Sequence, residues 1–239
     1  MKKIIFILLA ATTFVACEKN NDAPPVNPGD FANQIKKTVY DGGQIHTYTY
    51  DGSGRIKTRT ALNLEKIEYD YTAGKIVEKQ FDATGVLKRT YTYELDTNGL
   101  VAKETRSDRP DFTETRLYNS DKQVVKFTDA ENANIDIGEY FYSNGNLDSI
   151  RFISNGNWYS TAKMTYYTDK TNILDNDAFG EYAWGKRSKN MVKSEQYFFS
   201  DGTIGDKENY TYEYDAKGRV TKVISTEDGD IYTTTYSYE

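Results

Sequence analysis

The chain of 239 residues contains one cysteine, one histidine and four prolines. A single cysteine cannot form an intramolecular disulfide. One cysteine and one histidine are also too few for a Cys/His zinc site or a multi-histidine metal site. We therefore expect a protein without disulfides, without a bound metal and without a cofactor, whose stability comes from packing and backbone hydrogen bonds.

Positive charge is also scarce. There are 36 acidic residues against 30 basic ones, which gives a formal net charge of −6. Non-specific nucleic-acid binding needs a basic face that displaces counterions from phosphate. The charge balance therefore predicts that nucleic acid is not a partner.

Long apolar runs are absent except at the N-terminus, where two lysines precede a largely apolar stretch from Ile4 to Ala16. This stretch is shorter than the roughly 20 residues of a transmembrane helix, and its basic start is typical of a secretory signal. We predict that residues 1–16 form a signal peptide.

The residues Phe14-Val15-Ala16-Cys17 resemble the lipobox of bacterial lipoproteins. The resemblance implies that Cys17 becomes the lipidated N-terminus and that the membrane is a partner through this lipid. The alternative is an ordinary signal peptide with an incidental cysteine. Residues 17–34 contain three of the four prolines and predict a flexible tether. Its acidic start resembles sorting signals of surface lipoproteins, which implies an outer-membrane protein exposed at the cell surface, with the periplasmic face as the alternative.

Aromatic residues are plentiful, with 21 Tyr and 11 Phe. The phrase YTYDGSGRI at residues 48–56 returns as YEYDAKGRV at residues 212–220. In a strand, tyrosines two residues apart point to one face. The following Asp and Gly are typical of a type I turn closed by a glycine bulge, in which the carboxylate accepts from the turn backbone. Each phrase therefore predicts one strand, a tight turn and a return strand.

Partial copies of this phrase run along most of the chain, and no segment of comparable length has helical periodicity. We predict one all-β domain over residues 35–239, a strongly curved antiparallel β-meander that forms an open barrel or a single-layer sheet. Whether the sheet closes is left open. The copies start at Tyr69, Phe81, Tyr91, Tyr140 and Tyr197, and the chain ends on the pair Tyr236 and Tyr238.

The repeated phrase resembles the YD repeat of RHS proteins. The whole pattern of lipobox, tether and tyrosine-rich hairpins resembles a bacterial lipoprotein family of unknown function with a porin-like fold. Both resemblances imply an architecture, and neither implies catalytic residues. A membrane-spanning barrel needs an outward apolar band. The segment Arg55–Ala61 offers none, with three basic residues on one face and Ile, Thr and Thr on the other. We therefore favour a barrel or sheet in water, held by its lipid.

The repeat is lost from residue 168 to residue 194. One interpretation is a loop or short helix that plugs or caps the sheet. The other is a ligand patch made by Phe179, Tyr182 and Trp184, which Trp158 from a nearby turn joins, because exposed aromatic side chains stack on sugars and peptides. We retain both.

The function predicted from these observations is a non-catalytic binding or structural module. Its candidate partners are a glycan, a peptide or an envelope protein. Two alternatives remain open: a carbohydrate-active enzyme with an Asp/Glu pair, and an RHS-like shell or secretion-associated component. No catalytic residue is identified.

Overall fold

The computed structural model describes residues 33–61, 65–131 and 134–238. The predicted signal peptide, Cys17 and most of the predicted tether lie outside these residues. Within the described parts no helix is both long and apolar enough to cross a bilayer. The strands are β1 Lys37–Tyr40, β2 Ile45–Tyr50, β3 Ile56–Ala61, β4 Lys66–Thr72, β5 Lys75–Phe81, β6 Leu87–Leu95, β7 Val101–Arg106, β8 Thr113–Tyr118, β9 Val124–Glu131, β10 Asn134–Ser143, β11 Asn146–Ser154, β12 Asn157–Thr171, β13 Asn190–Phe199, β14 Ile204–Tyr214, β15 Val220–Glu227 and β16 Asp230–Ser237.

The strands form one closed antiparallel barrel in which each strand pairs with its neighbours in sequence. The predicted all-β antiparallel meander is confirmed. The sheet curls further than the expected open barrel or single layer, because β1 pairs with β16 from Lys37 opposite Ser237 to Tyr40 opposite Thr234. Among the strands that the structure describes, closure leaves no free edge strand for pairing with another chain.

The repeated phrase forms the predicted turn. The Asp51 carboxylate oxygen Oδ1 accepts from the backbone N–H groups of Ser53 and Arg55, both at 2.9 Å. Gly54 has a φ of 76°, a conformation that favours glycine. The Arg55 guanidinium bonds back to Asp51 at 2.8 Å and lies over the Tyr71 ring of the next hairpin. The same geometry returns at Asp215 and Arg219, where the arginine lies over Tyr238.

In five hairpins the hydroxyl of a strand tyrosine ties the hairpin to the preceding one. The pairing of β2 with β3 shifts register at Ile56, and the Tyr71 hydroxyl donates to the Ile56 carbonyl at 2.8 Å. A β-bulge disrupts the regular ladder, so a bulge carbonyl needs another donor. Five hairpins therefore each contribute a tyrosine hydroxyl to the bulge of the hairpin before them. The other pairs are Tyr118 with Val101, Tyr166 with Leu147, Tyr212 with Val192 and Tyr238 with Val220.

The turns after even-numbered strands lie at one end of the barrel, which we call the plugged rim, and the other end is the open rim. Residues 172–189, between β12 and β13, form the plug and contain two short 3-10 turns, Asn176–Phe179 and Tyr182–Trp184. The predicted interruption of residues 168–194 is thus shorter, because β12 and β13 extend into it.

The plug crosses the rim through backbone hydrogen bonds to hairpins far apart in sequence. The Gly180 carbonyl accepts from Ile56 N at 3.1 Å, and the Ala178 carbonyl accepts from Ile35 N at 2.9 Å. On the other side, Lys186 N donates to the Lys122 carbonyl at 2.9 Å. These bonds match the plug interpretation of the segment, since they fasten it across the end of the barrel.

Candidate functional site

The plug packs against one wall of the barrel interior. We call strands β2–β7 the packed wall, because their inward side chains form the hydrophobic core together with Ala178 and Ala183 of the plug. Gly180 makes this close approach possible. A Cβ atom there would lie 2.7 Å from both the Gly54 carbonyl oxygen and the Ile56 nitrogen. The aliphatic and aromatic members of the packed wall are Tyr48, Ile56, Ile67, Tyr69, Ile76, Tyr93 and Val101.

The opposite wall leaves a cavity of about 500 Å³ between itself and the plug. We call strands β10–β15 the cavity wall. Met164, Met191 and Val192 supply apolar surface, and Trp184 of the plug lines the near side. Six tyrosine rings also line the cavity, five on the cavity wall and one on β16, and they are those of Tyr140, Tyr142, Tyr166, Tyr210, Tyr212 and Tyr236.

The hydroxyls of these tyrosines fall into two groups. Tyr166 and Tyr212 donate to bulge carbonyls, and Tyr210 donates to Glu208 at 2.6 Å. In contrast, the hydroxyls of Tyr140, Tyr142 and Tyr236 have no hydrogen-bond partner within residues 33–61, 65–131 and 134–238. Burial raises the pKa of both Tyr140 and Tyr142, so both hydroxyls are neutral donors. The hydroxyls of Tyr140 and Tyr142 are therefore free to bond a ligand.

Charged side chains lie at different levels of the cavity. Lys186 and Arg187 line it beside the plug, and Glu195 lines it further along β13. Glu195 lies directly opposite Glu208 of β14. Burial is the main cause that raises the pKa of Glu195. The cavity therefore has a cationic part near the plugged rim and an acidic part nearer the open rim.

A second charged cluster lies inside the barrel on β7 to β10. Glu104 is opposite Glu114, Glu114 is opposite Asp129, and Asp129 is opposite Asp136. Like charges directly opposite each other are unfavourable. Arg116 offsets part of this cost, since its Nη2 atom contacts Glu104 at 3.1 Å and also contacts Glu114.

Burial also raises the pKa of Glu104, Glu114 and Asp129. In the described parts of the chain, no three His, Cys, Asp or Glu side chains converge closely enough to hold a metal ion. We therefore interpret the row as a charged lining, and the cavity is the better candidate site.

Three of the four residues predicted as a ligand patch come together in the plug. Phe179 contacts the Tyr48 ring edge-on at 5.8 Å, and Trp184 contacts the Tyr93 ring at 5.1 Å. The Tyr182 hydroxyl accepts from Gln34 Nε2 at 3.2 Å. All three thus serve the packing of the plug. Of these, Trp184 also lines the large cavity.

Trp158 does not join the other three. It lies at the start of β12, beside the open rim, and is 40% exposed. It pairs with the outward-facing Ile153, and its indole Nε1 donates to Thr161 at 3.1 Å. The strand connectivity thus places it at the end of the barrel opposite the plug. A role of these four residues in ligand binding stays a prediction.

Sequence reasoning missed the cavity tyrosines as site residues. Tyr140 and Tyr142 belong to a copy of the repeated phrase, and so does Tyr212. Their alternation predicts one inward face, but the same pattern occurs on the packed wall. No sequence signal separates the two, because the difference lies in the path of the plug.

Comparisons with known proteins concern this fold. The model of the domain of unknown function DUF4595, described as having a porin-like fold, matches residues 39–222. A porin-like protein from Bacteroides uniformis superposes with a TM-score of 0.61 at 18% identity, covering 85% of this chain and 96% of that one. A porin-like protein from Bacteroides vulgatus gives 0.60 at 11% identity, covering 86% and 99%. These likenesses show the fold.

Two curated relatives are much longer proteins. The tRNA3(Ser)-specific nuclease WapA of Bacillus spizizenii is 24% identical over 229 residues, and the tRNA nuclease WapA of Bacillus subtilis is 23% identical over 229 residues. Each match covers 82% of this chain but 8% of the relative. The chain thus spans less than a tenth of the length of these relatives.

Proposed function

The chain belongs to the DUF4595 family of domains of unknown function with a porin-like fold, and we propose that it is a lipid-anchored binding module of the bacterial envelope that captures a small glycan or peptide without catalysis. The observation that carries this proposal is the cavity of about 500 Å³ inside the barrel. Sites for small ligands typically measure about 300–1,000 Å³ and combine apolar walls with a few polar groups.

The composition of the cavity supports binding. Tyrosine offers a large, rigid and amphipathic contact surface that loses little conformational entropy on binding. The unpartnered hydroxyls of Tyr140 and Tyr142 add directional donors. The volume fits a small molecule and does not favour a shell that encloses a folded partner.

The plug supports capture over passage through the barrel. Its backbone is bonded to hairpins on both sides of the plugged rim, at Ile56 and at Lys122. Gln123 adds side-chain bonds to the carbonyls of Gly145 at 3.0 Å and Arg187 at 3.2 Å. A ligand that comes in through the open rim would meet a fastened end.

The outward face of the barrel supports attachment through a lipid, because charged pairs join neighbouring strands on that face. Lys79 bonds to Asp70 at 2.7 Å, between β5 and β4, and both side chains are well exposed. These residues alternate with the buried Tyr69 and Glu78, so they face away from the interior. The same arrangement returns for Lys103 with Glu94 and for Lys222 with Glu213. Such a surface favours contact with water over contact with lipid tails.

The start of the domain supports an orientation with the open rim away from the anchor. Lys36 N donates to the Ser237 carbonyl at 2.7 Å, and the Tyr50 hydroxyl donates to the Ile35 carbonyl. Both contacts lie at the plugged rim. A tether from Cys17 would therefore reach the barrel at its plugged end and leave the open rim to the aqueous side.

Protease treatment of intact cells tests the anchoring and the surface location. We expect the wild-type chain to fractionate with the outer membrane and to be digested by added protease. Cys17→Ala should release the protein from the membrane fraction. A wild-type protein that stays protected on intact cells would contradict surface exposure, and a membrane-bound Cys17→Ala variant would contradict lipid anchoring.

A cavity-filling variant tests the binding function. Met164 lines the cavity, and Met164→Trp would occupy part of its volume. We expect the wild-type chain to bind members of glycan or peptide arrays and Met164→Trp to lose that binding. The matched control is Ile135→Trp, because Ile135 is exposed on the outer face of β10. Equal binding by wild type and Met164→Trp would contradict a site in the cavity.

A hydrolase of polysaccharides is the second candidate. Glu195 and Glu208 lie directly opposite each other on β13 and β14. Directly opposite residues place their side chains next to each other, and retaining glycosidases need two neighbouring carboxyl groups, roughly 5–5.5 Å apart. Release of reducing sugar from a polysaccharide, abolished by Glu195→Gln, would favour this candidate over non-catalytic capture.

A further inference from the structure

The plugged end of the cavity presents two cationic side chains. Arg187 is oriented by two bonds, one from its backbone N–H to the Asp175 carboxylate and one from its Nε to Asn176 Oδ1, both at 2.9 Å. Lys186 is fixed through its backbone bond to Lys122. Neither side chain lies within ion-pair distance of a carboxylate in the described ranges, although the charge of Arg187 acts on the buried Glu181 and opposes the rise in its pKa. The oriented Arg187 side chain and the Lys186 side chain therefore border the cavity as two cations without a close ion-pair partner.

The other level of the cavity is lined by Glu195, and Glu208 on the neighbouring strand extends this acidic part beyond the lining residues. Glu195 and Glu208 are directly opposite each other, and neither forms an ion pair with a Lys or Arg in the parts of the chain that the structure describes. The hydrogen-bond partner of Glu208, the Tyr210 hydroxyl at 2.6 Å, is neutral. Since like charges at opposite positions cost free energy, a cation bound here would relieve repulsion.

The distance between the two levels suits a short chain. β13 begins at Asn190, just after the plug, and Glu195 lies five residues further along. At about 3.3 Å per residue this is roughly 16 Å of strand. The lysine, arginine and glutamate side chains reach into the space from both levels, which leaves room for about three extended residues of about 3.3–3.6 Å each.

The walls between the two levels suit peptide groups. The free hydroxyls of Tyr140 and Tyr142 can donate to peptide carbonyls. Tyrosine rings attract cations over their faces and pack against apolar side chains. The charged residues and the tyrosine walls thus both favour a ligand with charged ends and peptide groups between them.

This inference rests on the proposed binding function and deepens it. We propose that the ligand is a short peptide of about three residues with free termini. Its α-carboxylate pairs with Lys186 and Arg187, and its α-ammonium pairs with Glu195 and Glu208.

Peptides fit this cavity better than sugars. A neutral sugar would stack on the tyrosines but would offer no charge to either charged end of the cavity. An acidic sugar would neutralise the Lys186 and Arg187 end alone. A peptide with two free termini neutralises both ends at once.

Fluorescence of Trp184 provides the direct test. The chain has two tryptophans, so Trp158→Phe in the full chain leaves Trp184, which lines the cavity, as the sole reporter. The probes are three mixed tripeptide pools, with free termini, with acetylated N-termini and with amidated C-termini. We expect the free pool to change the fluorescence with saturation. Blocking either terminus removes a charge-assisted bond and should weaken binding by about tenfold, which is about 1.4 kcal/mol.

Single substitutions test which residues bind each terminus of the peptide. Glu195→Gln should weaken binding of the free pool by about tenfold and leave the already weak binding of the acetylated pool unchanged. Arg187→Ala should weaken binding of the free pool by about tenfold and leave the already weak binding of the amidated pool unchanged. Glu213→Gln is the matched control, because Glu213 lies on the outer face of β14 and pairs with Lys222.

The outcomes separate this inference from the proposed function. Saturable binding of neutral or acidic trisaccharides that is insensitive to Glu195→Gln, without binding of the free peptide pool, would overturn the peptide inference and keep the binding function. Peptide binding that is equal for free and blocked termini would also overturn it. If neither peptides nor trisaccharides change Trp184 fluorescence or give heat in calorimetry, both proposals fail.

Discussion

The packed wall and the cavity wall of the barrel are built from the same repeated phrase, yet they have opposite roles. On the packed wall, Ile56 and Val101 are fully buried against the plug or beside it. On the cavity wall, Val192 holds the equivalent bulge position and is half-buried beside open space. The comparison teaches that the repeat specifies the barrel, while one inserted segment decides which half of the interior is filled.

The path of the plug explains the difference. Gly180 and Ala183 let the backbone of the plug lie close to the packed wall, where larger side chains would collide. On its far side, the plug presents Trp184 and Arg187 to the cavity. The small residues thus allow the plug to approach the packed wall, against which Phe179 and Trp184 also pack, while Trp184 and Arg187 line the cavity.

The largest expected effect comes from widening the plug where it touches the packed wall. Gly180→Ala adds a Cβ atom 2.7 Å from two backbone atoms at a φ of 69°. We expect a loss of about 2–4 kcal/mol in the free energy of unfolding, from the backbone strain and the collision together. Gly85→Ala is the control, since it has a φ of 81° but nothing within 4 Å. Chemical denaturation of both variants measures the difference, and equal losses would contradict close packing at Gly180.

A matched valine pair measures the two walls directly. Val101→Ala removes fully buried groups from the packed wall, and we expect a loss of about 2 kcal/mol. Val192→Ala removes the same groups beside existing open space, and we expect less than about 1 kcal/mol. Denaturant titration of both variants measures the two losses in the free energy of unfolding. Equal values would show that the cavity wall is packed in solution as tightly as the other wall.

Removing single hydroxyls tests the bulge bonds with a smaller effect. Tyr118→Phe deletes the donor to the Val101 carbonyl, which is bonded at 2.8 Å. We expect a loss of about 1 kcal/mol, because a bulge carbonyl is left without this donor. Tyr140→Phe, on the cavity wall, deletes a hydroxyl that has no protein partner among the described residues. It should leave the melting temperature unchanged, and a comparable loss at Tyr140 would contradict the free hydroxyl.

The smallest expected effect is a dependence of stability on pH. Burial raises the pKa of Glu181 in the plug and of Glu195 on the cavity wall above the value of about 4.3 for an exposed Glu. In the window above about 4.3, the folded state therefore binds more protons than the unfolded state, so stability falls as pH rises through the folded pKa values. We expect the melting temperature to rise slightly from pH 8 to pH 5, with a flatter profile for Glu181→Gln.

The turn aspartates set the acidic limit of that profile. Hydrogen bonds from Thr203 lower the pKa of Asp201, and the bonds from Arg219 lower the pKa of Asp215. Their stabilising contribution is present above about pH 4, the usual aspartate value, and is lost as pH falls through the folded pKa values. A melting temperature that rises steadily from pH 5 to pH 8 would contradict the assignment of Glu181 and Glu195 as buried carboxyls.

Much of the fold could be predicted because the residues that determine each turn and strand pairing lie close together in the sequence. Asp51, Gly54 and Arg55 form their turn within five residues, so the turn, the bulge and the antiparallel pairing follow from the phrase alone. The candidate site could not be predicted in this way. Tyr140 and Tyr69 occupy similar places in copies of the phrase, and one lines the cavity while the other is buried in the core.

The sequence by itself determined an all-β antiparallel meander, because alternation and turn chemistry act between residues close along the chain. Barrel closure required β1 to meet β16, nearly 200 residues apart, and no local pattern states that contact. The tertiary structure likewise decided where the plug lies and which tyrosines keep free hydroxyls. Those features depend on how much space remains after distant segments pack, which is a property of the assembled interior.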